Sequence, residues 1–255
     1  MDATRRAGRW LLARAEVAPK GLGGGLRWWR GPDTDGDHDG QFFPTFCCGT
    51  AGVGYFLATL ASVLGNADDM RKELLLAAVA AGEHILGLMV QSNGTLLLPH
   101  GEQGDDLSRY YLGWCGGAPG WSRLFVRLWE LTREARWLRA LEEATLGVMA
   151  VVLPDLAMLL PTGPHGPWRN LGQCCGVAGA GSFLLGVATS QLPLSVAFKA
   201  SAMDGAEKLA DAIVGHAVAV GNEGRAFPSA EEHGAPTDTR WQAGWMQGAA
   251  GIASF

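Results

Sequence analysis

The stretch Gly176-Val177-Ala178-Gly179-Ala180-Gly181-Ser182-Phe183-Leu184 sets two glycines three residues apart and continues as a mainly apolar run. The same pattern, Gly-x-x-Gly followed by apolar residues, occurs three more times. Because the first glycines stand at 49, 117, 176 and 248, the copies are 68, 59 and 72 residues apart. Four copies of one pattern indicate a repeated structural unit.

Each copy predicts a helix that starts at its glycines. After the first copy, Val53, Phe56, Leu57 and Leu60 follow the spacing of one helix face. A second helix is predicted after each of the first three copies, at residues 69–88, 135–152 and 193–220, and an initial helix at 4–16. The unit is therefore a helix pair, and long loops at about 18–46, 90–114, 154–173 and 221–245 are candidates for function.

These helix pairs predict an all-α fold in a single domain over residues 1–255. Small residues at the starts of the Gly-x-x-Gly helices permit close packing, whereas the helices that follow carry more charge. An inner ring of helices wrapped by an outer ring, an α/α toroid, fits this pattern. A stack of helical hairpins without closure is the alternative.

Composition excludes several classes of protein. At 48% hydrophobic residues, 255 residues can bury a large core. With 20 Lys and Arg against 25 Asp and Glu, and without a basic stripe, nucleic acid is not expected as a partner. The N-terminus lacks the pattern of a secretory signal, and no run approaches about 20 apolar residues, so we expect a cytoplasmic protein without a membrane span.

The five cysteines share two positions relative to the repeat. Cys47, Cys115 and Cys174 stand two residues before the first glycine, and Cys48 and Cys175 stand one residue before it. Since each position precedes an equivalent helix, these side chains should converge at one end of the fold. Converging thiolates are typical zinc ligands. The alternative is that they are small buried apolar residues near helix starts.

Three motifs resemble the lanthionine synthetase C-like (LanC-like) family. The segment Trp114-Cys115-Gly116-Gly117-Ala118-Pro119-Gly120 is similar to its Trp-Cys-x-Gly-x-Pro-Gly motif. The segment Cys174-Cys175-Gly176-Val177-Ala178-Gly179 resembles Cys-His-Gly-x-x-Gly, and Gly244-Trp245-Met246-Gln247-Gly248-Ala249-Ala250-Gly251-Ile252 looks like the family's last repeat. The resemblance covers about residues 7–255 and implies an α/α toroid. That family usually has seven repeats, so four imply a truncated, incomplete ring, and self-association or a partner chain that covers its open side.

The resemblance also implies a metal site and a reaction. Carried over position by position, the zinc ligands are Cys115, Cys174 and Cys175, with Cys175 in place of the usual His. The implied activity is that of a zinc-dependent lanthionine cyclase. Zinc lowers the pKa of a cysteine thiol in a peptide, and the thiolate adds to a dehydroamino acid to form a thioether. The implied partner is a peptide or small-thiol substrate.

The residues expected to support this chemistry depart from the family. Cys48 stands where the family has a catalytic His, Tyr111 where it has an Arg, and Gly116 where it has an aromatic residue. Cys48, Tyr111 and two neighbours of the site, His100 and Arg109, are therefore the weak catalytic candidates. A non-catalytic thiol- or peptide-binding module, with Cys48 as a fourth zinc ligand, is the main alternative.

Three other features suggest chemistry outside this resemblance. Glu102, Asp105 and Asp106 form an acidic cluster in a loop. A carbohydrate-processing enzyme with an α/α-toroid fold would need two carboxylates across a cleft, and this cluster could supply them. The acidic spacing of Asp35, Asp37 and Asp39 resembles a calcium loop, but Phe46 stands where a bidentate Glu is required, which favours an exposed acidic loop. His165, like His100, lies in a loop between repeats.

Overall fold

The structure is a computed structural model that describes residues 2–31, 41–92, 94–104, 107, 109–156, 166–168, 170–221, 224–230 and 239–255. The described chain is mostly helical, with a few short strands. The prediction of a helical protein is therefore confirmed at the level of fold class.

Eight α-helices lie in the described residues. They are α1 (Asp2–Leu12), α2 (Thr50–Val63), α3 (Asp69–Leu88), α4 (Ala118–Thr132), α5 (Ala135–Val152), α6 (Val177–Thr189), α7 (Val196–Gly215) and α8 (Ala249–Ala253). Two short 3-10 helices cover Lys20–Leu22 and Leu153–Asp155. Helices α2, α4, α6 and α8 each begin directly after the first glycine of a Gly-x-x-Gly pair, as predicted.

Most short strands lie in segments that the sequence predicts to be loops, but those at Glu16–Val17 and Val218–Val220 overlap predicted helices. The strands are β1 (Glu16–Val17), β2 (Leu26–Arg27), β3 (Val90–Ser92), β4 (Thr95–Leu97), β5 (Arg109–Tyr111), β6 (Gly166–Trp168), β7 (Val218–Val220), β8 (Gly224–Ala226), β9 (Pro228–Ala230) and β10 (Thr239–Trp241). Four antiparallel two-stranded pairs join β1 to β2, β3 to β4, β7 to β8 and β9 to β10. Strands β5 and β6 pair in parallel, with Tyr111 opposite Trp168.

The predicted second helices are correct in two cases and too long in the third. Helices α3 and α5 have the predicted bounds, whereas the prediction for 193–220 extends past the end of α7 at Gly215. Beyond it, Val218 and Val220 are β-branched and belong to β7, and Gly221 has φ +64°, which the turn into β8 requires. Apolar content alone did not separate this strand from the helix. Helix α1 is likewise shorter than predicted.

Each Gly-x-x-Gly helix of the first three copies packs on the helix that follows it. Helix α2 contacts α3, α4 contacts α5, and α6 contacts α7, while α4 also packs between α2 and α6. The core lies between the members of these pairs. There Phe125 stacks on Trp137 and meets Trp121 edge to face, and all three side chains are buried. Burying a side chain of this size stabilises the fold by about 1.5–3 kcal/mol.

Local interactions mark where several of these helices begin and end. Asp68 accepts a hydrogen bond from the Met70 amide at the start of α3, and Ser195 accepts one from the Phe198 amide at the start of α7. Arg133 adopts a left-handed conformation between α4 and α5, which makes that connection tight.

Among the described helices, none combines the length and apolar character needed to cross a bilayer.

Candidate metal centre

The same turn precedes every Gly-x-x-Gly helix. It comprises residues 46–48, 114–116, 173–175 and 245–247 in the four copies. The chain before the turn runs so close to the first helical turn that a Cβ on either glycine would overlap the carbonyl oxygen six residues earlier. At Gly117 that oxygen belongs to Tyr111, and at Gly120 it belongs to Trp114. Close backbone approach therefore explains both glycines of the motif.

Hydrogen bonds from the first helical turn hold this arrangement in place. Gly49, Gly117, Gly176 and Gly248 provide no capping side chain. In the first, third and fourth copies, a backbone carbonyl of the preceding segment accepts from the first amide of the helix. These bonds run from Thr50 N to Phe43 O (2.8 Å), from Val177 N to Asn170 O (2.7 Å) and from Ala249 N to Gln242 O (2.8 Å). The turn and the helix start form one rigid unit.

The four turns are joined to one another by backbone hydrogen bonds in chain order. The bonds run from Cys47 N to Cys115 O (3.1 Å), from Cys115 N to Cys174 O (2.7 Å) and from Cys174 N to Met246 O (2.7 Å). Further bonds run from Phe46 N to Cys115 O (3.1 Å) and from Trp114 N to Gln173 O (3.3 Å). Equivalent positions of neighbouring copies therefore lie side by side, which is why cysteines distant in sequence meet.

Three sulfur atoms converge at this row of turns. The Sγ atoms of Cys115, Cys174 and Cys175, which we call the thiol triad, lie within 4.8 Å of one another. Each of the three residues is partly buried. Within the described part of the chain, the thiol triad is the one group of at least three His, Cys, Asp or Glu side chains that close together. It can hold a metal ion.

Cys47 extends the thiol triad, and Cys48 is one step further away. The Sγ atom of Cys47 lies 2.6 Å from that of Cys115 and 3.1 Å from that of Cys48. Both residues are exposed. The sulfur from the first copy that contacts the thiol triad is therefore that of Cys47, although the sequence singled out Cys48 as the candidate fourth ligand.

The electrostatics of the thiols favour a single thiolate in the metal-free protein. Hydrogen bonds from Cys115 and Cys175 lower the pKa of Cys174 to about 4. The pKa of two neighbouring thiols is raised instead. The hydrogen bond with Cys174 raises the pKa of Cys115, and the hydrogen bond with Cys115 raises the pKa of Cys47 to about 12. One negative charge is thus shared among several sulfur atoms.

Opposing effects act on the pKa of Cys175. Its hydrogen bond with Cys115 lowers its pKa, but the bond with Cys174 and burial outweigh this and raise the pKa to about 12. A metal cation at the thiol triad would replace the shared protons and allow all three sulfurs to ionise. Three soft sulfur donors with no carboxylate among them suit zinc or another thiophilic ion.

Two side chains near the sulfurs have no assigned role in the sequence prediction. Gln247 directs its amide nitrogen towards Cys175 Sγ at 3.8 Å, from the position one residue before the first glycine of the fourth copy. Arg30 lies near Cys48, and its charge opposes the effect of Cys47 and burial, which together raise the pKa of Cys48. The position of Gln247 in the repeat was a usable signal, whereas Arg30 carries none.

Three of the four weak catalytic candidates, His100, Arg109 and Tyr111, lie in the chain before the turn of the second copy. The His100 ring packs against Tyr111 and Phe43, with centroids 4.5 Å and 5.2 Å apart. Arg109 and Tyr111 are the first and last residues of β5. A Cβ at Gly116 would lie 3.2 Å from Cβ of Tyr111, so the aromatic ring of Tyr111 covers the position where the family has an aromatic residue.

Glu102 lies in a different setting from the one predicted. Its carboxylate is buried, accepts a hydrogen bond from Arg27 at 2.6 Å, and lies 2.9 Å from Nε2 of the buried His84. It therefore does not line an open cleft. Asp105, Asp106, His165 and the acidic segment 33–40 lie outside the described residues.

A cavity of about 520 Å³ lies beside the row of turns. Its walls include Trp114 and Gln173, which adjoin Cys115 and Cys174 in the chain, together with Arg123, Arg127 and Phe183 from helices α4 and α6. It combines aromatic surface with two guanidinium groups. Its size suits a ligand held between the two Gly-x-x-Gly helices α4 and α6.

Comparisons with family models, curated proteins and solved structures find no match to this chain.

Proposed function

We propose that this chain is a LanC-like protein in which Cys115, Cys174 and Cys175 bind zinc and activate a cysteine thiol for thioether formation with a dehydroamino acid. The convergence of three sulfur atoms within 4.8 Å of one another carries this proposal. Two of the three come from a Cys-Cys-Gly sequence and one from Trp-Cys, the positions that the resemblance implies. Free thiols of this kind persist in a reducing compartment, which supports a cytoplasmic location.

An incomplete α/α toroid is the architecture that we propose around this site. Its support is the order of the parts: the four turns are hydrogen-bonded in chain order, α4 packs between α2 and α6, and each of these helices has its own outer partner. A segment of a ring would have this order.

The chain's own groups would divide the work between ligation and orientation. Zinc, when bound, would supply a Lewis acid that lowers the pKa of a substrate thiol. Cys115, Cys174 and Cys175 would hold it, and the Gln247 amide would donate to Cys175 and orient that ligand. The cavity beside Trp114 and Gln173 would accommodate the peptide that carries the thiol.

A non-catalytic zinc module that binds a thiol or peptide is the second candidate. Cys48 and Tyr111 replace the His and Arg of the family, and His100 packs between two aromatic rings. These replacements remove the usual groups for proton transfer. Carbohydrate processing has less support, because the Glu102 carboxylate is already paired with Arg27 and His84.

Metal analysis of purified, reduced protein tests the metal centre. We expect about one zinc per chain with mainly sulfur ligation, and we expect Cys174→Ala to lose most of it because one of three ligands is removed. Cys48→Ala is the matched control and should keep its zinc. Absence of metal from the wild type, or full zinc in Cys174→Ala, would show that the thiol triad is not the site.

A reaction assay separates the two candidates. Zinc-loaded protein is incubated with peptides that contain one cysteine and one dehydroalanine, and thioether formation is followed by loss of the free thiol. Cyclisation faster than in the zinc-free protein supports an enzyme. Binding of the peptide without any acceleration would instead favour the non-catalytic module.

A further inference from the structure

We propose that Cys47 is the fourth thiol of this metal centre and closes it at rest, so that an incoming thiol must displace Cys47 to reach the metal. The idea rests on the proposed zinc centre at the thiol triad. It assigns a specific role to Cys47, which the family resemblance does not include among the metal ligands.

The contact between Cys47 and Cys115 is the first argument. Their Sγ atoms are 2.6 Å apart, which is closer than two non-bonded sulfur atoms approach in van der Waals contact. A common metal ion resolves this crowding, because each sulfur would then sit about 2.3 Å from the ion and further from the other sulfur. Cys47 Sγ is not within 4.8 Å of every sulfur of the thiol triad, so its side chain would have to turn towards the ion, while the hydrogen bond from Cys47 N to Cys115 O already holds the two backbones together.

Backbone register is the second argument. Cys47, Cys115 and Cys174 hold the same position in three consecutive copies, and their main chains are joined by the bonds from Cys47 N to Cys115 O (3.1 Å) and from Cys115 N to Cys174 O (2.7 Å). These residues therefore form one column of thiols. Cys175 adds the fourth sulfur from the next position along its turn. Four thiolates complete the tetrahedral set of a closed zinc site.

Cys48 does not satisfy the same conditions. Its sulfur is 3.1 Å from that of Cys47 and is separated from the thiol triad by it. Cys48 instead lies near the positive charge of Arg30. The two neighbours thus differ in a way that mutagenesis can detect, although they are adjacent, chemically identical and both exposed.

Exposure makes Cys47 the ligand that can leave. It is exposed, whereas Cys115, Cys174 and Cys175 are partly buried. An incoming thiol would give its proton to the departing Cys47 thiolate, so one thiolate replaces another at the metal and charge is conserved. If Cys47 holds the position for nine-tenths of the time, apparent affinity for that thiol is reduced about tenfold.

X-ray absorption of zinc-loaded protein in a phosphine reductant tests this role, with Cys47→Ala as the variant and Cys48→Ala as the matched control. We expect four sulfur ligands in the wild type and in Cys48→Ala, and three sulfurs with one lighter atom in Cys47→Ala. Adding 2-mercaptoethanol should restore the fourth sulfur in Cys47→Ala, whereas the wild type and Cys48→Ala should keep four sulfurs throughout. Cys47→Ser, which preserves side-chain size, should behave like Cys47→Ala, and circular dichroism confirms that each variant is folded.

Three sulfurs in the wild type, or equal sulfur numbers in the wild type and Cys47→Ala, would overturn the role of Cys47 while leaving the thiol triad intact. A disulfide between Cys47 and Cys115 in the zinc-loaded protein, found by peptide mapping, would also overturn it. Absence of zinc from the wild type would overturn the proposed function together with this inference.

Discussion

The sulfur cluster, formed by the five cysteines, and the buried cluster of Arg27, His84 and Glu102 are both polar groups brought together from distant parts of the chain. In the buried cluster the partners are opposite in kind: the Glu102 carboxylate meets a guanidinium at 2.6 Å and an imidazole at 2.9 Å, and His84 Nδ1 lies 2.9 Å from Gly24 O. In the sulfur cluster all the members are alike. Five thiols can share protons, but they cannot satisfy one another's charge once they ionise.

This difference indicates what each cluster is for. The buried cluster is complete within the chain, and it ties β2 and the Gly24 loop to helix α3. The sulfur cluster is partly exposed, and a bound cation would relieve the repulsion between its sulfurs on ionisation. A polar cluster whose charges are paired within the chain stabilises the fold, whereas a cluster of identical donors is a candidate binding site.

The largest expected effect is on ionisation in the metal-free protein. Following thiolate absorbance against pH under a phosphine reductant, we expect one thiolate to form with a midpoint near pH 4, instead of near the ordinary value of 9.0, because Cys115 and Cys175 donate to Cys174. Cys174→Ala should lose this step, and Cys48→Ala should keep it. Five thiols that all titrate near their ordinary value would contradict the shared hydrogen bonds.

Stability of the metal-free protein should follow the same titration. The folded state lowers the pKa of Cys174, so the stability that it contributes is complete above about pH 9 and is lost as the pH falls through about 4. The folded state raises the pKa of Cys47 and Cys175 to about 12, so their contribution is complete below about pH 9 and is lost as the pH rises through 12. Urea unfolding across this pH range should show the largest contribution of the sulfur cluster to the free energy of unfolding near pH 9.

The next largest effect concerns the buried cluster. Glu102→Ala leaves Arg27 and His84 without their carboxylate in the interior, so the free energy of unfolding should fall by about 3–5 kcal/mol. Glu83→Ala, which breaks the exposed pair with Arg136, is the matched control and should cost about 0–1 kcal/mol. Urea unfolding of both variants measures this. Zinc affinity of folded Glu102→Ala should be unchanged, and a loss of less than 1 kcal/mol in unfolding would mean that the cluster is not a structural element.

The smallest expected effect is at the edge of the sulfur cluster. Gln247→Ala removes the donor to Cys175 Sγ and should weaken zinc binding by about 10–100-fold, as the loss of a group that orients a ligand does. Competition with a chelating dye measures the affinity, and Gln191→Ala, an exposed loop glutamine, is the control. Stability of the zinc-free protein should hardly change. Unaltered zinc affinity would remove Gln247 from the site.

Much of this organisation follows from local sequence. The starts of α2, α4, α6 and α8 were predictable, because two glycines three residues apart mark the place where the preceding chain crosses the first helical turn. The shared register of the cysteines was equally visible. The end of α7 and the short hairpins were not, because valines such as Val218 fit a helix face and a strand equally well until pairing partners are known.

Sequence by itself determined that the chain is helical, where the Gly-x-x-Gly helices begin, and which cysteines share a register, since all three depend on residues within one turn of each other. Only the tertiary structure decided which sulfurs meet. Cys47 and Cys48 are adjacent and the sequence singled out Cys48, yet hydrogen bonds between successive turns bring Cys47 against Cys115 and leave Cys48 one step away. The same holds for Glu102, whose partners Arg27 and His84 lie 75 and 18 residues away. Local rules specify where a side chain sits in its own turn, but distances between turns depend on how the repeats pack.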